Sequence, residues 1–260
     1  MQFKTIEYAE SQGIGTITLN RPDKRNAINH DLIQDLLTCL DSAAQSSVRV
    51  LILTGAGKAF CAGMDLENLK LLTARTHEQN IKDSETAARM FRSLYDFPKP
   101  TIAAVNGAAI AGGSGLATVC DFTLAVPDAK FGYSEVRIGF VPAIVSSFLI
   151  SSIGEKRARD LLLTGRIFSA EEAHKLGLVN EIVAPDELMK RARELAAQLA
   201  ENSPVSLRVT KALLSGYTRE RLDRQIVQAV HENAAIRQTA DFKEGISSFL
   251  EKRKPAWKGE

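Results

Sequence analysis

Glu135 stands in FGYSEVRIGFVPA, flanked by Val136, Ile138, Phe140 and Val141. A carboxylate inside so apolar a run costs free energy unless it is paired. Burial would raise its pKa toward a range useful for proton transfer. The sequence leaves open an ion pair with Arg137 or another basic residue. A second chemically suggestive stretch precedes it, residues 101–121, TIAAVNGAAIAGGSGLATVCD. The β-branched, apolar run from Ile102 to Val105 reads as a buried strand. Asn106-Gly107 breaks it, and Gly112, Gly113 and Gly115 cluster before a short apolar helix. Glycine lets a ligand come close to bare backbone. Amides at a helix start lack intrahelical partners and favour negative charge, so a developing oxyanion suits the place. A helix start packed tightly on a sheet, with no ligand, fits the same residues. Residues 59–66, AFCAGMDL, form another glycine-containing turn after a buried strand.

Three nucleotide or nucleophile motifs nearly fit and fail. A dinucleotide fingerprint from Gly113 has Gly115 second but Thr118 where its third glycine belongs. A nucleophile elbow on Ser114 has Gly112 before it but Leu116 in place of the second glycine. Gly57-Lys58 resembles the end of a phosphate loop, yet Ala59 replaces Ser/Thr and Ile52 the leading glycine.

The elements that must position these residues follow from composition and pattern. The chain's 260 residues hold one large domain, or one with a helical appendage. Hydrophobic residues make up 45% and charged residues 25%, as in soluble globular proteins. No run approaches the ~20 apolar residues of a membrane span, and MQFKTIEYAE has no signal-peptide core. Cys39, Cys61 and Cys120 lie far apart, suggesting neither a disulfide framework nor a metal site, and a cytoplasmic setting is expected. His30, His77, His174 and His231 share no ligand spacing. A net charge of +2 gives no global pull toward nucleic acid, although the tail EKRKPAWK is locally basic.

Phe3 to Tyr8 and Gly15 to Leu19 alternate as two strands joined near Gln12-Gly13. The loop LNRPDKRNAIN leads to a helix from about His30 to Ala44, striped by Leu32, Ile33, Leu36, Leu37 and Leu40. Val48 to Leu53 is a third strand. Residues 67–95 read as polar helix or mobile segment, with apolar residues returning at Ala87, Met90, Phe91 and Leu94. Phe122 to Val126 and Lys130 to Ser134 are strand-like. Helices follow at 144–151 and 155–163, and Ser169 with Glu172 makes a capping pattern. Beyond Pro185 the chain turns helical. Leu222, Ile226, Val230, Phe242, Ile246 and Phe249 carry more apolar surface there than a small appendage hides, which predicts an interface.

AFCAGMDL, VNGAAIAGGSGLATVCD and FGYSEVRIGFVP occur in fixed order with LLLTGRIFSAEEAHKLGLVNEIV and EGISSFLEKRKPAW. Together they resemble the enoyl-CoA hydratase/isomerase (crotonase) family over essentially the whole chain. The resemblance implies an α/β fold: a spiral of repeated ββα units over residues 1–195, then a C-terminal helical trimerisation region, 196–260. It implies a homotrimer or a homohexamer built as a dimer of trimers. It also implies binding of an acyl-CoA thioester, whose oxygen accepts the backbone N–H groups of Met64 and Gly112 as an enolate forms. No separate cofactor is implied, since CoA is part of the substrate. Lys24 and Arg25 fall in a loop that contributes to the CoA pocket in the family, with Ala62, Gly63, Asp65 and Leu66 lining it. Lys252 matches a C-terminal lysine that reaches the CoA phosphates, sometimes from a neighbouring subunit.

One departure bears on the reaction. Hydratases of this family commonly carry two glutamates; Glu135 matches the second, and Gly115 stands where the first would be. Enoyl-CoA hydratase, in fatty acid β-oxidation chemistry, is the expected activity, with Glu135 as acid/base. Δ3,Δ2-enoyl-CoA isomerase is the alternative that a single glutamate favours. Glu67, Glu78, Asp83 and Glu85 are candidate second carboxylates, and Gly115→Glu would restore the pair only if the backbone tolerates a Cβ. A relative in the family also binds RNA, and the basic tail with Trp257 is the sequence support for that reading.

Overall fold

The computed structural model describes residues 2–260, the side chain of Leu66 excepted. An antiparallel hairpin opens the chain, β1 (Ile6–Ser11) and β2 (Ile14–Leu19), turned through Gln12 and Gly13 at positive φ. Asn29 accepts the Leu32 amide to start α1 (His30–Gln45), which buries Leu32, Leu36, Leu40 and Ala43. A repeating unit follows. Its first turn is β3 (Val50–Gly55), β4 (Ala59–Cys61), α2 (Leu66–Leu72) and α3 (His77–Tyr95). The second is β5 (Thr101–Val105), β6 (Ala108–Ile110) and α4 (Gly112–Thr118). The third is β7 (Phe122–Ala125), β8 (Lys130–Gly132), α5 (Ala143–Ile153) and α6 (Glu155–Thr164). Then come β9 (Ile167–Ser169), α7 (Ala170–Leu176) and β10 (Glu181–Ile182). Three helices end the chain, α8 (Leu188–Ala200), α9 (Pro204–Ala235) and α10 (Ala240–Leu250).

Each turn sends its first strand to one sheet and its second to another. The large sheet runs β1-β2-β3-β5-β7-β10 and the small one β4-β6-β8-β9. From β2 to β10 the large sheet is parallel, and β3 and β5 are buried along their whole length. Strands covered on both faces have no polar alternation, which is why both read as continuous apolar runs. This is the α/β spiral of ββα units that the motifs imply.

Of the small sheet the sequence pattern marks β8 alone: β4 and β6 have three residues each, too few for a period to show. Residues 67–95 form α2 and α3 rather than one helix. Thr76 and Gln79 close a capping box that starts α3 afresh. Ser169 does cap α7, accepting the Glu172 amide at 3.2 Å, but Glu172 turns its carboxylate to Arg166 instead of back to the cap. The boundary expected after residue 195 falls inside α8, whose buried Leu188, Ala192 and Ala196 sit on the sheet; a break between elements comes after Ala200. The apolar C-terminal residues also need correcting. Leu222, Val230, Phe242 and Ile246 are buried within the chain and Ile226 packs on its core; of the six, Phe249 is the exposed one. Further exposed apolar side chains cluster on α9, at Val205, Val209, Leu213, Leu214 and Tyr217.

Candidate functional site

Two backbone amides are brought together by the loop before α1, the turn after β4 and the start of α4. Asn26, at φ 56°, is buried and fastens the loop: its Nδ2 donates to the carbonyls of Ala56 (2.9 Å) and Ala59 (2.8 Å), and its Oδ1 accepts the Arg21 amide. Ile28 then bridges in parallel to the turn. The Ile28 amide donates to the Gly63 carbonyl (2.7 Å), and the Asp65 amide to that of Ile28 (2.9 Å). In such a ladder the intervening residue's N–H points the other way. The Met64 amide therefore faces away from Ile28, without a hydrogen bond among the described residues. Gly63 has φ +85°, and a Cβ there would lie 2.8 Å from the Ile110 carbonyl oxygen and 3.6 Å from the Gly112 nitrogen. That contact sets the two turns side by side.

Gly112 is the first residue of α4, so its N–H has no partner within the helix. Ala111 before it holds φ 51°, ψ −120°, a conformation that costs a residue with a Cβ roughly 1–3 kcal/mol. The strain is held in place on both sides. Ala111 donates to the Gly132 carbonyl at 2.7 Å. The Ser114 hydroxyl donates to Ala109 (2.6 Å) and accepts the Gly132 amide (3.0 Å), fixing α4 to β6 and β8. Two unpartnered amides of this kind can donate together to one oxygen.

Glu135 begins a short 3-10 turn, Glu135–Ile138, after β8. It is 8% exposed, and its Oε2 is buried without a hydrogen-bond partner. Burial pushes its pKa from 4.5 up to about 7. It makes no ion pair with Arg137 or any other basic group among the described residues, so the structural-pair reading falls. A carboxyl poised near neutrality, with a free oxygen, can take and return a proton.

One cavity of about 1160 Å³ joins these parts: Met64, Gly112 and Glu135 all line it, and so do Lys24, Arg25, Ala62 and Asp65. The Asp65 carboxylate has other work. It caps α2 through the Glu67 amide (3.0 Å) and pairs with Arg21 (2.8 Å). Burial alone would raise its pKa, but these partners outweigh that and hold it below the usual carboxylate value. Lys24 is exposed and lies 3.1 Å from Glu67. Gly63 shapes the turn from behind rather than lining the cavity, and Lys252 lies outside the lining on this chain. The Leu66 side chain lies outside the described residues.

Residues 9–260 match the model of a family described as enoyl-CoA hydratase/isomerase. The chain belongs to the enoyl-CoA hydratase/isomerase family. A Thermus thermophilus protein that carries an enoyl-CoA hydratase name is 46% identical, over 95% of this chain and 98% of its own. The 1,2-epoxyphenylacetyl-CoA isomerase of Escherichia coli is 34% identical over 95% and 96%. Among solved structures, an enoyl-CoA hydratase/isomerase from Xanthobacter autotrophicus superposes with a TM-score of 0.90 at 29% identity, covering 96% of this chain and 94% of that one. The chain is thus an enzyme of this family, whose relatives carry hydratase and isomerase names alike.

The space beside Gly115, where the resemblance puts a first glutamate, is filled from outside α4. A Cβ on Gly115 would lie 2.5 Å from Val145 Cγ1 and 2.9 Å from Phe91 Cε1. The φ of Gly115 is not positive, so packing and not backbone excludes a side chain. Gly115→Glu is therefore expected to give no gain in hydration. Gly115→Ala alone should cost about 1–3 kcal/mol of stability through overpacking, read as a lower midpoint in thermal denaturation; an unchanged midpoint would show that Val145 and Phe91 yield freely. The other candidate carboxylates do not replace it. Glu67 and Asp83 line the cavity, but Glu67 meets Lys24, and Asp83 is held by Arg75 (2.6 Å) and Arg237 (2.8 Å). Glu78 pairs with Lys82 in solvent, and Glu85 faces a separate groove between α3 and α9.

Proposed function

We propose that this family member is an enoyl-CoA hydratase acting on a 2-enoyl-CoA. The Met64 and Gly112 amides hold the thioester oxygen as negative charge develops on it, and each such donor contributes roughly 3–4 kcal/mol to the transition state. Glu135 is the sole acid/base. As carboxylate it takes a proton from the water adding at Cβ, then delivers that proton to Cα as the enolate collapses. No cofactor beyond the substrate's own CoA enters, and Lys24, Arg25, Ala62 and the Gly63–Asp65 backbone flank the CoA moiety. The observation that carries this reading is the unpartnered, buried Glu135 carboxyl in one cavity with two free amides. Incubation with a 2-enoyl-CoA should add one water to the ester by mass; recovery of unaltered ester would count against it.

Isomerisation is favoured by a different observation, the blocked space at Gly115, because a double-bond shift needs one carboxylate alone. The RNA-binding reading rests on the tail, where Glu244 holds Arg253 (2.9 Å) and Asp241 accepts the Lys258 amide (2.6 Å), while Lys252, Lys254 and Trp257 stay exposed. Among the described residues no helix is long and apolar enough to cross a membrane.

For assembly we propose a trimer or hexamer formed through α9, where Val205, Val209 and Leu213 recur on one side beside Leu214 (62% exposed) and Tyr217 (78% exposed). Lys252 would then meet the CoA of a neighbouring subunit. Light scattering at micromolar concentration should give three or six times 28.4 kDa, and a 28.4 kDa particle would refute this.

A further inference from the structure

The cavity is apolar beside the reacting groups and cationic farther along α3. Phe91 lies next to the Gly112 turn, 3.7 Å from where a Gly112 Cβ would be. Asp83, eight residues earlier on the helix, is about 12 Å away along its axis at 1.5 Å per residue. The polar lining there includes Arg75, Gln79, Lys82, Asp83, Asn233 and Arg237, with Leu72 and Phe140 also lining the cavity.

Hydrogen-bond partners at this end are unevenly matched. Asp83 accepts from Arg75 on one oxygen and from Arg237 on the other. Asn80 Oδ1 accepts Arg237 Nη1 (3.1 Å); Asn233 Oδ1 accepts both Arg237 Nη2 (2.6 Å) and the Ser84 hydroxyl (2.8 Å). These acceptors are taken, and behind the wall two buried donors, Arg237 Nε and Asn80 Nδ2, have none, Asn80 lying outside the lining. Charge is unbalanced in the same sense. One carboxylate serves two guanidiniums, and Lys82, the other cation on this wall, is already paired with Glu78. Arg237 is 1% exposed and locked over the Phe140 ring, so it neutralises Asp83 from behind. Arg75, about one-third exposed, is the guanidinium that a ligand meets. A wall with surplus positive charge, on which Arg75 gives Asp83 its Nη1 alone, calls for a group that only accepts, and a carboxylate fits a guanidinium's two-pronged edge.

We propose that the acyl pocket ends in an anion subsite at Arg75, and that the preferred ester is a 2-enoyl-CoA whose acyl chain carries a terminal carboxylate. This rests on the hydratase reading for the reaction, though not for the binding.

The test compares two 2-enoyl-CoA esters of equal medium chain length, one ending in a carboxylate and one in a methyl group. With the wild-type enzyme, kcat/KM should favour the carboxylate ester at least ~10-fold, the worth of one charge-assisted hydrogen bond. In Arg75→Gln the ratio should fall to about one. A methyl-ended CoA ester turned over as well or better by the wild type, or a ratio unchanged in Arg75→Gln, overturns the proposal. If neither ester reacts, the hydratase reading fails, and calorimetry with the saturated pair of acyl-CoA esters decides the subsite. Binding of the carboxylate-ended ester at least ~10-fold tighter sustains it, and equal binding overturns it.

Discussion

Glu135→Gln is expected to bind a CoA ester as the wild type does and to lose roughly 10²–10⁴ in turnover, the usual worth of a positioned proton carrier. The size follows from the lack of a buried substitute: of the other carboxylates on the cavity, Asp65 is bound to Arg21, Glu67 to Lys24 and Asp83 to Arg75 and Arg237, and Asp23 is exposed on the Pro22–Lys24 turn. The pH profile carries the same signature. The carboxylate form is the one that accepts the first proton, so kcat/KM should fall on the acid side with a midpoint near the shifted pKa of about 7. The residual activity of the variant should lack that limb. Stability responds in the opposite sense. Between the ordinary value of 4.5 and about 7 the folded state holds a proton that the unfolded state releases, so native stability declines as pH rises through that window. Glutamine, neutral throughout, should melt higher than the wild type above pH 7, the gap closing below pH 4.5. A variant that turns over like the wild type, or loses none of the acid limb, would remove Glu135 from the chemistry.

Gly112→Pro should lower kcat at least ~10²-fold by deleting one of the two amide donors. The first position of a helix is where proline is best tolerated, and the Gly112 N–H bonds to nothing else among the described residues. The nearest contact for an added Cβ is the movable end of Ile28, 3.0 Å away. Circular dichroism and elution volume should match the wild type, so a kcat loss reports the missing donor. Full turnover in a correctly assembled variant would mean that Gly112 is not one.

The parts of the site that were legible in the sequence are those with local causes. Apolar runs marked β3 and β5, glycines marked the two turns, and a glutamate amid hydrophobic residues marked Glu135. What stayed hidden depends on contacts between distant segments. Nothing local shows that Ala111 would be held at positive φ, because Gly132 of β8 enforces it, accepting the Ala111 amide and donating to Ser114. Nor could Gly115 reveal why a side chain is missing, since Phe91 and Val145 come from α3 and α5. Asn26 is the exception that a closer reading would reach: asparagine tolerates the left-handed region, and it follows Arg25 in a proline-started loop. The C-terminal apolar residues misled for a related reason. Periodicity shows that a helix face is buried but not against what, and here α9 and α10 cover their own chain.

The central claim is that this one-glutamate site adds water. Its most direct test offers the wild-type enzyme a 2-enoyl-CoA and a 3-enoyl-CoA in separate reactions, with products resolved chromatographically. A 3-hydroxyacyl-CoA formed from the 2-enoyl ester at tens of turnovers per second, about the median for enzymes, is the predicted result. Conversion of the 3-enoyl ester to the 2-enoyl one, with no hydration of the latter, would contradict it and make the enzyme an isomerase.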